Sequence, residues 1–203
     1  MNKAVFLDCR TICKPQSGRR FIQNPLDKEI TSGVKEGIEY YDHHGWKLIG
    51  ITNPELEEDG NTIEDAIALH QSTLALLPGI SAIYFCADIR GLSCWRVTQD
   101  DAHLISNHSR VEEFVVHEQY KFRMPGAGML YLASIDFGID LEESWMVGDA
   151  EENELAATNA KLKGFMPSGI WVNRFKPGMY EVRSVSFQQV QFLENLRESY
   201  DNN

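Results

Sequence analysis

Val5-Phe6-Leu7-Asp8, near the start of the chain, and Trp145-Met146-Val147-Gly148-Asp149, far downstream, are two apolar runs that each end in a carboxylate. A short uninterrupted apolar run reads as a strand buried on both faces, and such strands belong to parallel sheets covered by helices. Ligands of open parallel sheets bind beyond the carboxyl ends of the strands, so Asp8 and Asp149 are expected at one edge. Two carboxylates side by side repel unless they share a cation, and Mg²⁺ is the natural third party. A third run, Lys47 to Asn53, closes in Gly50-Ile51-Thr52-Asn53 and would bring a hydroxyl and an amide to the same edge. The outline is one of phosphate handling. Arg10, two residues past Asp8, stands where such chemistry would want an acid.

Outward from these runs, strands alternate with helices. Val34, Ile38 and Tyr41 fall on one helical face, and Gly45 is placed to stop that helix. Thr62 and Asp65 form a capping-box start for a helix with Ile63, Ile67, Leu74 and Leu77 as its apolar face. Pro78-Gly79 turns into a strand from Ala82 to Cys86. Helices are predicted over about Gly128–Phe137 and Glu152–Lys163, further strands over Gly169–Val172 and Val182–Phe187, and a last helix carrying Val190, Leu193 and Leu196. Residues 87–123 show no period. The alternation predicts an α/β chain of one domain over residues 1–203: a Rossmann-like, doubly wound parallel sheet of about five or six strands, three-layered, without a large cap domain.

The bulk numbers narrow the function. At 203 residues the chain can bury a full core. A net charge of −11 disfavours nucleic acid, whose phosphates demand an excess of lysine and arginine. Arg10, Lys14, Arg19, Arg20, Lys121 and Arg123 nevertheless form two small basic clusters, which suit a small anionic substrate. No apolar run is long enough to span a bilayer. Met1-Asn2-Lys3-Ala4 leads straight into a strand, which leaves no room for a signal peptide, and four cysteines show no disulfide framework, so a cytoplasmic setting is expected.

These marks resemble the haloacid dehalogenase (HAD) superfamily of phosphohydrolases, and within it the small capless branch of heptose-bisphosphate and histidinol-phosphate phosphatases. The resemblance runs from Ala4 to about Val172. It rests on Phe6-Leu7-Asp8, Gly45-Trp46-Lys47-Leu48-Ile49-Gly50-Ile51-Thr52-Asn53, Tyr84-Phe85-Cys86, Gly138-Ile139-Asp140-Leu141 and Met146-Val147-Gly148-Asp149. It implies Mg²⁺-dependent hydrolysis of a small phosphorylated metabolite through an aspartyl-phosphate on Asp8. Thr52 would hold the phosphate oxygens, with Asn53 beside it. Asp8, Asp149 and the main-chain carbonyl of Arg10 would hold the metal.

Against that pattern stand three departures. The family's Asp-x-Asp-x-Thr is here Asp8-Cys9-Arg10-Thr11-Ile12, which puts Arg10 in the catalytic place of the general acid/base, a proton-transfer role a guanidinium cannot fill near neutrality. The branch's Arg-Lys-Pro is here Arg123-Met124-Pro125, leaving Arg123 or Lys121 to compensate for the lysine. The acid four residues past Asp149 is Asn153. Losing a general acid costs about 10²–10⁴ in rate and losing a charge-stabilising donor roughly 10²–10³ more, so the expected hydrolysis is slow. The alternative is a catalytically retired relative that binds a phosphorylated ligand or a protein partner. Continuing the strand alternation past Asp8 places Arg10 on the same face, facing the cleft as its chief anion-binding residue; the competing arrangement is an Arg10–Asp8 ion pair. Cys86, Cys94, His103 and His108 raise zinc, but the Cys-x-His and Cys-x-Cys spacings of the branch's zinc loop are missing.

Overall fold

The computed structural model describes residues 1–18, 22, 25–54, 56, 61–107 and 117–176. Arg19, Arg20, His108, the strand expected over Val182–Phe187 and the helix expected after it lie outside the described residues. The strands are β1 (Ala4–Asp8), β2 (Cys13–Lys14), β3 (Glu29–Ile30), β4 (Lys47–Thr52), β5 (Ala82–Phe85), β6 (Ser93–Val97), β7 (Ala102–Asn107), β8 (Trp145–Gly148) and β9 (Gly164–Pro167). The helices are α1 (Cys9–Ile12), α2 (Val34–His43), α3 (Ile63–Leu76), α4 (Gly128–Phe137), α5 (Glu151–Asn159) and α6 (Ser168–Asn173).

One seven-stranded sheet runs β7-β6-β5-β4-β1-β8-β9. From β5 to β9 every pairing is parallel. In β1 the two faces divide the core between them. Ala4 and Phe6 join one apolar cluster with Ile49, Ile51, Tyr84 and Met129, while Val5 and Leu7 join the other with Leu48, Ile83, Val147 and Trp171. Both faces are therefore covered, which is why β1 reads as an unbroken apolar run.

Two expectations are corrected. The sheet is mixed and larger than five or six parallel strands, because residues 87–123 contribute the antiparallel pair β6–β7, turned at Thr98–Asp101. A register shift between Cys94 and Trp95 breaks the two-residue alternation that would have announced β6. The second correction concerns Gly169–Val172. This segment lies in α6, and the strand is β9 just before it, an edge strand that ends in Pro167. Trp171 and Val172 are buried against the α2 side, and a side chain at Gly37 would run into the Trp171 ring at 2.7 Å. Tertiary packing overrides the strand propensity of Ile170-Trp171-Val172 there. The helices α2, α3 and α4 and the strands β4, β5 and β8 fall where the pattern puts them, whereas α1 and the short pair β2–β3 were not expected, and α5 stops at Asn159, short of the expected Lys163, with Lys161 taking φ +56°.

Candidate active site

At Asp8 the chain leaves the sheet. Asp8 takes φ −64° and ψ 122°, caps α1, and its Oδ1 accepts the Arg10 backbone N–H at 3.1 Å. The strand alternation therefore ends one residue earlier than the placement of Arg10 required. Arg10 sits on the first helical turn and folds back on the acid. Its Nε and Nη2 donate to Asp8 Oδ2 at 3.3 and 3.2 Å, and Nη2 also donates to Glu152 Oε1 at 2.5 Å. The arrangement found is thus the ion pair. Arg10 lines the adjacent cavity, but its guanidinium is engaged by two carboxylates.

Asp8 is 1% exposed. Burial raises its carboxyl above the usual range, opposed by the Arg10 guanidinium, the Arg10 backbone N–H and the Asn153 amide. For Arg10, burial works against the charge, but Asp8 and Glu152 outweigh it and raise its pKa further. The cation is held firmly in its charged state.

Thr52 and Asn53 arrive at the same edge because β4 lies beside β1 in parallel register, with Asp8 opposite Ile51. Both are buried. Asn53 clamps the backbone of Met124: its Nδ2 donates to the Met124 carbonyl and its Oδ1 accepts the Met124 N–H, both at 3.1 Å. That clamp brings the Arg123-Met124-Pro125 segment to the site and leaves the Met124 side chain against Asn153, whose Nδ2 lies 3.4 Å from Met124 Sδ. A buried thioether therefore stands at the position where the resemblance expects the ammonium of a lysine. Arg123 lies beside Gly91, with the Cys86 thiol within reach of its charge.

On the other flank β8 pairs with β1, Leu7 opposite Val147, so Asp149 follows at the same edge as Asp8. Asn153 ties the two acids into one network. Its Oδ1 accepts the N–H groups of Asp149 (3.2 Å) and Ala150 (3.0 Å), and its amide reaches the Asp8 carboxylate. Asp149 Oδ1 accepts the Ser168 hydroxyl. Glu152 and Ser168 were not singled out as site residues in the sequence. Pro167-Ser168 at a strand-to-helix junction is the signal that would have found the second. Gly148 makes room for this network, since a Cβ there would meet Asn153 Oδ1 at 2.3 Å. Gly148→Ala is expected to displace Asn153 and to destabilise the fold by about 1–3 kcal/mol, measurable by denaturant unfolding.

The zinc question finds little support among the described residues. Cys86 Sγ points to the Asp88 carbonyl at 3.4 Å, burial pushes its thiol up to about 12, and His103 pairs with Asp101 and Arg96. Among these residues no group of three or more His, Cys, Asp or Glu side chains gathers as a metal site. At the sheet edge a hard cation would therefore rest on two carboxylates, Asp8 and Asp149, and the Arg10 carbonyl. Oxygen donors of that kind suit Mg²⁺, which keeps several of its waters. The Arg10 guanidinium competes for the same Asp8 Oδ2 and must swing aside for a metal to sit there.

A cavity of about 260 Å³ next to Asp8's neighbours Cys9 and Arg10 is lined also by Thr52 and Asn53 and by Asp65, Ala66, Leu69, His70 and Thr73 of α3.

A mostly parallel sheet that brings a buried Asp at the end of its first strand and a second Asp just after β8 to one edge is similar to the HAD-like phosphatases, and the similarity is that of a distant homologue. The relatives it matches over most of its length are heptose-1,7-bisphosphate 7-phosphatases. The D-glycero-D-manno-heptose-1,7-bisphosphate 7-phosphatase of Thermosynechococcus vestitus is 28% identical over 187 residues, covering 88% of this chain and 85% of its own. The corresponding enzyme of Helicobacter pylori strain 26695 is 27% identical over 168 residues, covering 80% of this chain and 81% of its own. Among solved structures, a Mesorhizobium loti protein assigned to the HAD-like phosphatases aligns with a TM-score of 0.60 at 18% identity, covering 86% of each chain. The D,D-heptose 1,7-bisphosphate phosphatase of B. bronchiseptica, solved with magnesium and phosphate, aligns at 0.54 and 20%, covering 82% of this chain and 79% of its own. No family model matches the chain. Among the described residues no helix is long and apolar enough to cross a membrane.

Proposed function

We propose that the chain is a phosphomonoester hydrolase of the HAD type, acting through Asp8 on a small phosphorylated metabolite and slowed by its own substitutions. The observation that carries this reading is the meeting of buried Asp8 with Thr52, Asn53 and the Asn153–Asp149 turn at one edge of the sheet, where Arg10, Thr52 and Asn53 also line a cavity. Asp8 attacks phosphorus as an oxygen nucleophile and the ester oxygen departs, leaving an aspartyl-phosphate that water then cleaves to inorganic phosphate. The Thr52 hydroxyl donates to the phosphate oxygens. Arg10, released from Asp8, offers its fork to the same oxygens but delivers no proton, so the leaving oxygen takes its proton from water. Asp8, Asp149 and the Arg10 carbonyl would hold Mg²⁺, which when bound would supply charge neutralisation at the transferring group.

Phosphate release from a panel of phosphorylated metabolites tests this, with the relatives' heptose bisphosphates among them. Slow turnover is expected, below the ordinary range of about 1–10³ s⁻¹, dependent on Mg²⁺ and absent in Asp8→Asn. Release that never exceeds the Asp8→Asn background overturns it.

The Arg10–Asp8–Glu152 cluster favours a second reading, a retired relative that binds phosphorylated ligands without turnover. Arg10→Ala separates the two. In a slowed enzyme, removal of the competing guanidinium should tighten Mg²⁺ binding about two- to fivefold, the worth of a half-exposed ion pair. Calorimetry that finds no Mg²⁺ binding in either form favours retirement.

A further inference from the structure

A second cavity, of about 280 Å³, lies at the other end of the sheet. Val5 near the start of β1, Trp145 at the start of β8 and Trp46 just before β4 all line it. It therefore sits at the amino ends of parallel strands whose carboxyl ends carry the candidate active site. From Val5 to Asp8 a strand rises roughly 10 Å, which sets the two places apart. The helices on that face supply the cover: Tyr41 from α2, Trp171 from α6 and Arg174 just beyond it.

Aromatic rings make most of this wall. Tyr41 lies nearly parallel to Trp171, at 13°, and meets Trp46 edge-on at a centroid distance of 5.5 Å. Trp145 leans over Gly164 of β9, where a Cβ would meet its ring at 2.5 Å, and among the described residues it pairs with no other ring. Trp46 and Trp145 are only half-buried, so both leave ring surface for something else to cover.

The charge at these rings is positive, in a chain whose net charge is −11. Arg174 is exposed and forms no ion pair among the described residues. Burial raises the pKa of the Tyr41 hydroxyl against the opposing Arg174 charge, which keeps that hydroxyl a hydrogen-bond donor. Lys3 Nζ lies 5.8 Å from the Trp46 ring centroid, and Lys3 shares the one Glu143 carboxylate with Lys163, at 3.0 and 3.1 Å. Among the described residues no carboxylate lines the cavity.

We propose that this cavity is a second ligand site, and that it takes a flat aromatic ring bearing an anionic group, with the ring against Trp46 and Trp145 and the anion on Arg174. The guanidinium fork fits the oxygens of a carboxylate or a phosphate. Other ligand classes fare worse on this lining. An organic cation is drawn to ring faces, but Arg174 repels it and the Lys3 ammonium already stands near the Trp46 face. A polyhydroxylated ligand needs acceptors for its hydroxyls, whereas guanidinium and indole groups only donate. A saturated ring forgoes the stacked and edge-on contacts that a flat one makes. A volume of about 280 Å³ lies just below the usual range of ligand pockets, which suits one ring or a fused pair.

The test is calorimetry on the full chain with indole-3-carboxylate, indole-3-carboxamide, cyclohexanecarboxylate and choline. Indole-3-carboxylate is expected to bind best, about two- to fivefold more tightly than the carboxamide, the worth of an exposed ion pair. Over cyclohexanecarboxylate the expected gain is about two- to tenfold, the worth of an aromatic contact. Arg174→Gln should erase the first difference and Trp145→Leu the second, while Arg10→Ala, at the other end of the sheet, should change neither. Binding that is lost in Arg10→Ala and kept in Arg174→Gln would put the probe at the catalytic end and overturn the proposal. So would no binding of indole-3-carboxylate to wild type, choline binding best, or the carboxamide or cyclohexanecarboxylate binding as tightly as the indole acid. Arg174 is exposed, so its replacement spares the core; should Trp145→Leu fail to fold, the ranking on wild type and on Arg174→Gln still decides.

Discussion

Arg10→Asp combined with Met124→Lys should raise Mg²⁺-dependent hydrolysis by about 10³-fold or more over wild type. The first change removes the guanidinium from Asp8 Oδ2 and puts a proton-transferring carboxyl two residues past the nucleophile, worth about 10²–10⁴. The second exchanges a buried thioether for an ammonium in the space beside Asn153, next to the Asp8 carboxylate, worth about 10²–10³ as a charge-stabilising donor. Groups that act as a unit are not additive, so each single change should recover much less than its share. Met124→Lys alone crowds two cations around Asp8, and Arg10→Asp alone crowds carboxylates around it. The measurement is phosphate release by the two singles and the double, with and without Mg²⁺. A double variant that melts like wild type yet hydrolyses no faster would show that the site lost more than these two groups.

His70 should make stability strongly acid-sensitive. Burial first, and the Lys28 charge second, push its imidazole from the ordinary 6.5 down to about 3. Between those values the unfolded chain holds a proton on this ring that the folded chain refuses, so acid favours unfolding. The contribution is therefore intact above about pH 6.5 and is lost progressively toward pH 3. Over the whole window it amounts to at most about 5 kcal/mol. Carboxylates such as Asp88, whose folded pKa lies below the usual range, lose their share in the same direction as they protonate. Asp8, with a raised pKa, works the opposite way. The difference between wild type and His70→Phe isolates the histidine. Denaturant unfolding across pH 7 to 4 should show a flatter profile in the variant; parallel profiles would mean that the ring is hydrated or protonated in the folded state.

The legible parts of the fold were those where local chemistry and global packing agree. β1, β4, β5 and β8 are continuous apolar runs because both faces are covered, and Thr62–Asp65 forms the reciprocal cap its spacing announced. The illegible parts are those where a local rule is overridden. A register shift disguised β6, and the packing of Trp171 against Gly37 turned a strand-like run into a helix. In α3 the expected face ran through Ile63, Ile67, Leu74 and Leu77; Leu74 and Leu77 are buried as expected, but Ile63 and Ile67 are only partly buried while Ala66, His70 and Thr73 point inward. No pattern of hydrophobic residues could show a histidine and a threonine facing the interior. At the site, Asp8, Thr52, Asn53 and Asp149 reach one edge as their strand positions imply. Arg10 does not follow, because a strand period cannot be carried through a helix cap.

Asn53 grips residue 124 by its main chain alone, through one amide given and one received. The peptide backbone is common to nearly every amino acid, so the address of that position in space is independent of the side chain it bears. Drift at residue 124 between a charged and an uncharged side chain can therefore proceed while the surrounding architecture is held under selection by its own packing. Residue 10 enjoys a similar freedom, since Asp8 caps its helix through the residue-10 N–H. The charge at these two positions can therefore change without the sheet edge that presents them coming apart.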